Sequence, residues 1–247
     1  MDRLIYTAVS GLNSAMTRQR MIASNLANAQ TVGFREETME FTPMTLEGPS
    51  LEVRAMNYTQ VKGASMKPGT MVQTGRPLDV ALEGQAMLTV QTPDGGEGYT
   101  RRGDLSISPT GLLQNGDGLP VMGESGPITV PTDGIITIAK DGGVMLYNRD
   151  APEQPPVQIE RLKLASTQGS KLEKDLSGIF RVPGGGVLPA DQEAKLMPAT
   201  LEQSNVDTTK VLVEMVEAQR MYDLRTKLIS TARDLDEGGA SLMRLPA

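Results

Sequence analysis

The sequence predicts an α+β protein: paired N- and C-terminal coiled-coil helices plus a central all-β antiparallel domain of sandwich or barrel-like form. Three observations carry this. Apolar residues recur at steps of three, four and seven at both ends of the chain. Short alternating stretches separated by Gly-rich turns fill the middle. Irregular stretches carrying proline join the ends to the middle. The expected organisation is a terminal helical domain at 1–34 and 204–247, extended connectors at 35–71 and 176–203, and a central β domain at 72–175.

At the N-terminus the apolar stripe is Ile5, Ala8, Leu12, Ala15, Ile22 and Leu26, broken only at Gln19. The other faces carry short uncharged side chains, among them Thr7, Ser10, Asn13, Ser14, Thr17, Ser24 and Asn25. Solvated helix faces are usually laced with Glu and Lys, so this surface suits the close approach of further helices. Asn28 and Gly33 then mark a helix stop and a fixed structural turn, because both residue types tolerate positive φ. Pro43, Pro49 and Pro68 make 35–71 read as an extended connector.

The middle alternates. Strands are expected at 78–83 and 86–92, with Pro93-Asp94-Gly95-Gly96 as a strong turn. Shorter ones follow at 99–101, 105–108, 112–113, 120–122 and 128–130. A hairpin at 135–139 and 144–147 turns on Lys140-Asp141-Gly142-Gly143, and 157–164 is the last long strand. The second connector, 176–203, holds Gly184-Gly185-Gly186 and Pro183, Pro189 and Pro198.

The C-terminal stripe is Val211, Met215, Ala218, Tyr222, Ile229 and Ala232, broken only at Arg225. A second apolar line, Met221, Leu224, Leu228 and Leu235, lies well round the same helix. A helix apolar on two sides needs neighbours on two sides. One is expected to be the N-terminal helix of the same chain and the other a second subunit. The two stripes, with Leu224 and Leu228, form the candidate assembly interface.

Composition excludes several classes. The net charge is -6, so no basic tract neutralises phosphates, and nucleic acid is not an expected partner. No run approaches the length of a membrane span, no Lys/Arg-rich amphipathic face suggests membrane binding, and no cleavage-type site follows residues 4–12. Neither membrane insertion nor a cleavable signal peptide is expected. With no Cys and no His, a Ser-His-Asp triad and a typical zinc site are impossible. Aromatics make up only 3% of the chain, so part of the apolar surface is expected to be buried between copies.

The motifs nominate no chemistry. Gly184-Gly185-Gly186-Val187 lacks the Gly-Lys-Ser/Thr of a P-loop. Asp94-Gly95 and Asp141-Gly142 lack the ligand spacing of calcium loops and read as hairpin turns. Arg101 and Arg102 could hold an anion, but adjacent strand residues point to opposite faces. The reading is therefore no catalytic residue, no cofactor and no metal. The competing classes are a wall glycosidase with two facing carboxylates and a monomeric secreted binding module.

Several motifs in order resemble one family. They are Ser10-Gly11-Leu12, Ala23-Ser24-Asn25-Leu26-Ala27-Asn28 and Thr31-Val32-Gly33-Phe34 near the start. In the middle come Thr74-Gly75-Arg76-Pro77-Leu78-Asp79-Val80-Ala81-Leu82-Glu83-Gly84 and Tyr99-Thr100-Arg101-Arg102-Gly103. Near the end stand Leu201-Glu202-Gln203-Ser204-Asn205-Val206-Asp207 and Ala218-Gln219-Arg220-Met221-Tyr222. The chain resembles the flagellar axial proteins of bacteria, the rod and hook proteins. Its opening, Met1-Asp2-Arg3-Leu4-Ile5-Tyr6, looks most like a proximal rod subunit, with a distal rod subunit as the nearest alternative. Gln30 and Arg102 depart from the family pattern. The resemblance implies a structural subunit without catalysis, stacked helically in the rod that crosses the periplasm. The implied partners are copies of itself, the distal rod protein, the short proximal rod proteins and the flagellar type III export apparatus.

Overall fold

The computed structural model describes residues 2–45, 55–131, 134–148, 153–175 and 177–243. In chain order, α1 (Asp2–Ala27) precedes β1 (Glu37–Thr45), β2 (Ala55–Ala64) and β3 (Met71–Gln73). Then come β4 (Val80–Leu82), β5 (Met87–Gln91), β6 (Glu97–Thr100), β7 (Ser106–Ile107) and β8 (Leu113–Gln114). β9 (Gly134–Ile138), β10 (Gly143–Asn148), β11 (Val157–Arg161) and β12 (Leu164–Ala165) follow. β13 (Glu173–Lys174), β14 (Phe180–Arg181), β15 (Leu196–Pro198), β16 (Thr200–Glu202) and α2 (Thr208–Met243) complete the chain.

The chain forms two units. The first holds α1, the β1–β2 sheet and α2. The second, the β body, comprises residues 28–36 and 64–206. In the first unit α2 starts where Asp207 supplies a cap. Its Oδ1 accepts from the Thr209 and Lys210 amides at 2.9 and 3.1 Å, groups that a helix start leaves unpaired.

In the β body the described pairings are all antiparallel. A five-stranded sheet runs in the order β12-β5-β6-β14-β13, and a three-stranded one in the order β11-β10-β9. β15–β4, β16–β3 and β7–β8 are two-stranded. Successive residues of β5 point to opposite faces. Leu88 and Val90 therefore enter the larger core cluster with Val80, Leu82, Leu113 and Leu164. Met87 enters a smaller one with Tyr99, Phe180 and Leu188. Between β15 and β16 stands Ala199, at φ 54°, the one non-glycine residue with positive φ among those described. There the chain leaves β4 for β3, and the Ala199 carbonyl accepts from the Thr74 and Gly75 amides at 2.8 and 3.2 Å.

Two expectations are corrected. The predicted pair of terminal coiled-coil helices does not form. One helix stands at each end, α1 of 26 residues and α2 of 36, about 39 Å against about 54 Å. They touch, and α1 also touches β1. A coiled coil seats knobs in holes along the whole seam. Among the described residues of α2, burial is confined to Val211 and Ala218, while Met215, Tyr222, Ile229 and Ala232 of the same stripe are only half-buried. Apolar spacing identifies the dry side of a helix without supplying a partner of matching length. Nor do the described strands form one sandwich or barrel: they divide among six sheets. The stretch read as a connector at 35–71 carries β1 and β2, and that at 176–203 carries β14, β15 and β16.

Candidate functional site

The predicted interface residues fall into three groups. Ala15, Ile22, Val211 and Ala218 are buried. Leu12, Leu26, Met215, Tyr222, Ile229 and Ala232 are half-buried. Leu224 and Leu228 are exposed, and the side chains of Ile5 and Ala8 lie outside the described residues. An apolar recess of about 150 Å³ is lined by Ser14, Ala15, Arg18, Met39, Ala218, Met221 and Arg225. The Arg225 guanidinium, at the break in the C-terminal stripe, donates to the Gly11 carbonyl.

Near the end of α1, Asn25 treats Glu37 as a strand partner would. Its Nδ2 donates to the Glu37 carbonyl at 3.1 Å and its Oδ1 accepts from the Glu37 amide at 2.8 Å. The Ser24 hydroxyl donates to the Glu37 carboxylate at 3.1 Å. Only an amide side chain offers donor and acceptor together at this length.

The most demanding chemistry lies in the β body. The carboxylate of Glu202, wholly buried, is shared by two buried guanidinium groups. Arg35 Nη2 stands 2.7 Å from Oε1, and Arg101 Nη2 and Nε stand 2.7 and 2.8 Å from Oε2. Arg101 spends its remaining donors on the carbonyls of Leu82, Gly84 and Ala86, at 2.7, 3.0 and 2.6 Å. Arg35 Nη1 donates to the Lys67 carbonyl at 2.7 Å, while its Nε has no hydrogen-bond partner. Burial pushes the Arg35 guanidinium below its usual value; Glu202 opposes this and Arg101 reinforces it. Oε1 of Glu202 also accepts from the Gly69 amide at 2.8 Å.

The backbone is shaped to permit this. Gly33, at φ 68°, lies against the Arg101–Arg102 peptide, where a Cβ would stand 2.5 Å from the Arg101 carbonyl. Its amide donates to the Glu202 carbonyl at 2.7 Å. Asn28, the other predicted turn residue, accepts from the Thr31 amide and hydroxyl, each at 3.1 Å. Asn205 Oδ1 accepts from the Glu36 amide at 2.6 Å, and its Nδ2 donates to the Ser65 and Lys67 carbonyls at 2.9 Å each. The Lys174 ammonium sits 3.4 Å from the centre of the Phe34 ring and donates to the Arg35 carbonyl at 3.0 Å.

Sequence reasoning missed Arg35, Arg101, Glu202, Asn25 and Asn205. It did foresee that Arg101 and Arg102 part company. Arg102 turns outward to Asp104 and Asp117, at 2.8 and 2.5 Å, while the anion that Arg101 holds is Glu202, 101 positions away. The available signal was position: the missed residues lie in or beside the motifs quoted above.

Buried ion pairs of this kind add little net stability but punish the loss of one partner by about 3–5 kcal/mol. The arrangement pairs opposite charges and fixes geometry. Among the described residues no cluster of three or more His, Cys, Asp or Glu could hold a metal ion. Among them, too, no helix is long and apolar enough to cross a membrane.

Comparison with known proteins matches three segments. Residues 5–35 match flagella basal body rod protein, 81–146 the flagellar hook protein FlgE/F/G D1 domain, and 197–242 the flagellar basal body rod FlgEFG protein C-terminal region. The flagellar basal-body rod protein FlgF of Escherichia coli K12 is 41% identical over 240 residues, 95% of each chain. That of Salmonella typhimurium LT2 is 39% identical over 247 residues, 98% of each chain. The flagellar basal-body rod protein FlgG of Bacillus subtilis 168 is 32% identical over 267 residues, 99% of this chain and 100% of the relative. Each matched segment contributes one member of the charged triad: Arg35, Arg101 and Glu202.

Proposed function

The chain belongs to the flagellar basal-body rod proteins, with FlgF-like members among its relatives, and on that premise we propose that it works in the proximal rod. It is a structural subunit of the bacterial flagellum, resides in the basal body and assembles with other rod proteins. The observation that carries the proximal reading is the 41% identity to an FlgF protein over 95% of both chains. In this reading the protein has no enzymatic activity. It leaves the cytoplasm through the flagellar export apparatus without a cleavable signal peptide and lies in the rod where that crosses the periplasm. Its neighbours are copies of itself, the short proximal rod proteins and the distal rod protein. The two apolar stripes and the exposed line of Leu224 and Leu228 supply the surfaces it buries against them.

A distal, FlgG-type position is the second reading, favoured by the full-length match to the Bacillus protein at lower identity. Imaging isolated basal bodies that carry a labelled subunit separates the two. Label at the base of the rod is the expected result. Label confined to the far end supports the second reading, and label outside the rod overturns both.

A further inference from the structure

The two arms of the β body, residues 28–36 and 200–206, depend on each other unequally. The C-terminal arm is held by the body itself. β16 pairs with β3 through Thr200↔Gln73, Leu201↔Val72 and Glu202↔Met71. The Gln203 amide donates to the Thr70 carbonyl at 2.8 Å, and the Glu202 carboxylate is met by the Gly69 amide and by Arg101. The N-terminal arm is held largely by the C-terminal one. The Gly33 amide bonds to the Glu202 carbonyl, the Glu36 amide to Asn205 Oδ1, and Arg35 to the Glu202 carboxylate.

Charge gives the same order. With the C-terminal arm alone in place, Glu202 and Arg101 form a buried neutral pair. With the N-terminal arm alone, Arg35 would enter a site already holding Arg101, with Lys174 donating to its own carbonyl. Like charges brought together in a desolvated site repel strongly. Its contacts with the body itself include Arg35 to the Lys67 carbonyl, Ser65 to the Glu36 carbonyl, and Lys174 to the Phe34 ring and the Arg35 carbonyl; none of these brings an anion to Arg35, so that repulsion stays unanswered.

We propose that the arms seat in a fixed order: residues 200–206 dock on the body by themselves, and residues 28–36 dock only onto them. A chain is made from its N-terminus, so the arm made first seats last. The segment that follows α1 is fixed only once the chain is complete past Asn205. The device is a completeness check written in charge.

Amide hydrogen exchange on the full-length protein tests it, read at Gly33 and Glu36 for one arm and at Gln203 for the other. Arg35→Met should speed exchange at Gly33 and Glu36 by at least about tenfold and leave Gln203 within about twofold. Glu202→Gln should free all three, with β5 amides as the control for a folded body. Equal behaviour of the three amides in Arg35→Met, whether all freed or all retained, overturns the order. So does retained protection at Gly33 and Glu36 in Glu202→Gln. Should Glu202→Gln unfold the body, seen as lost protection across β5, the Arg35→Met result decides alone.

Discussion

At Gly69 the chain runs so close to the C-terminal arm that an added Cβ would overlap the Gln203 carbonyl oxygen. Backbone cannot retreat as a flexible side chain can, so Gly69→Ala is expected to cost about 2–4 kcal/mol in urea unfolding of the β body. Ala199 should respond in the opposite sense. At φ 54° its Cβ is strained, and Ala199→Gly is expected to gain about 0.5–1 kcal/mol, less the extra freedom glycine has when unfolded. Tyr99 contributes to behaviour in alkali. Burial pushes its phenol above the usual value, donation from the Leu188 amide at 2.7 Å opposes this, and Glu97 at 3.1 Å adds to the rise. A raised folded value means the stabilising contribution is complete below about pH 10, the unfolded value, and fades as pH climbs through the folded one. Tyr99→Phe should remove that alkaline loss, at about 1–3 kcal/mol near neutral pH, because the buried Leu188 amide loses its acceptor. Urea midpoints from pH 7 to 11 measure both effects. Gly69 and Ala199 did not stand out in the sequence and Tyr99 entered only as part of a motif, since what singles each out is a neighbour far along the chain.

Helix α2 shows what apolar spacing reveals and what it hides. Its start was legible, because Asp207 is a good cap and Val211 opens the stripe. What covers the stripe was not. Leu228 is 65% exposed, so Leu228→Asp is expected to move monomer stability by no more than about 0.5 kcal/mol. Yet it should stop incorporation, because a charge forced into an apolar contact is costly unless paired. Basal-body counts and motility in a strain carrying the variant check this, and normal rods would sink the role given to that line. The strands β4, β5, β6, β9 and β10 were legible for a local reason: alternation bounded by Gly-rich turns. β1 was hidden by Pro43, which argues against a strand, although a two-stranded sheet leaves an outer edge where a missing amide costs nothing. β14 was hidden by distance: Phe180 pairs with Tyr99, and nothing near residue 180 announces it.

For the whole molecule, the sequence placed a β-rich centre between two helical ends but drew its border at 72–175. The body takes in 28–36 and runs on to Val206, because Arg35 and Glu202 belong to its interior. Limited proteolysis of the dilute full-length chain is therefore expected to leave a resistant fragment from near Ala64 to near Val206, with residues 28–36 protected along with it. The ends should be cut first, since helices draw most of their stability from tertiary packing and the apolar line on α2 lacks it. Equal resistance along the whole chain would overturn this expectation. The motifs that carried the resemblance were legible as text; their meeting around one carboxylate was not, because a buried charge leaves no mark on composition or period.

The paired bonds between Asn25 and Glu37 tie this contact to chemical ageing. Deamidation would replace Nδ2 with a second oxygen facing the Glu37 carbonyl, turning one of the two attractions into repulsion and adding a negative charge beside an existing carboxylate. Cyclisation requires the next backbone nitrogen to attack the side chain, and three features impede it here. Asn25 is 3% exposed, it lies within a helix, and bulky Leu26 follows it. By neighbour alone, Asn115 before Gly116 is the more reactive asparagine. This exacting amide thus stands where cyclisation is impeded.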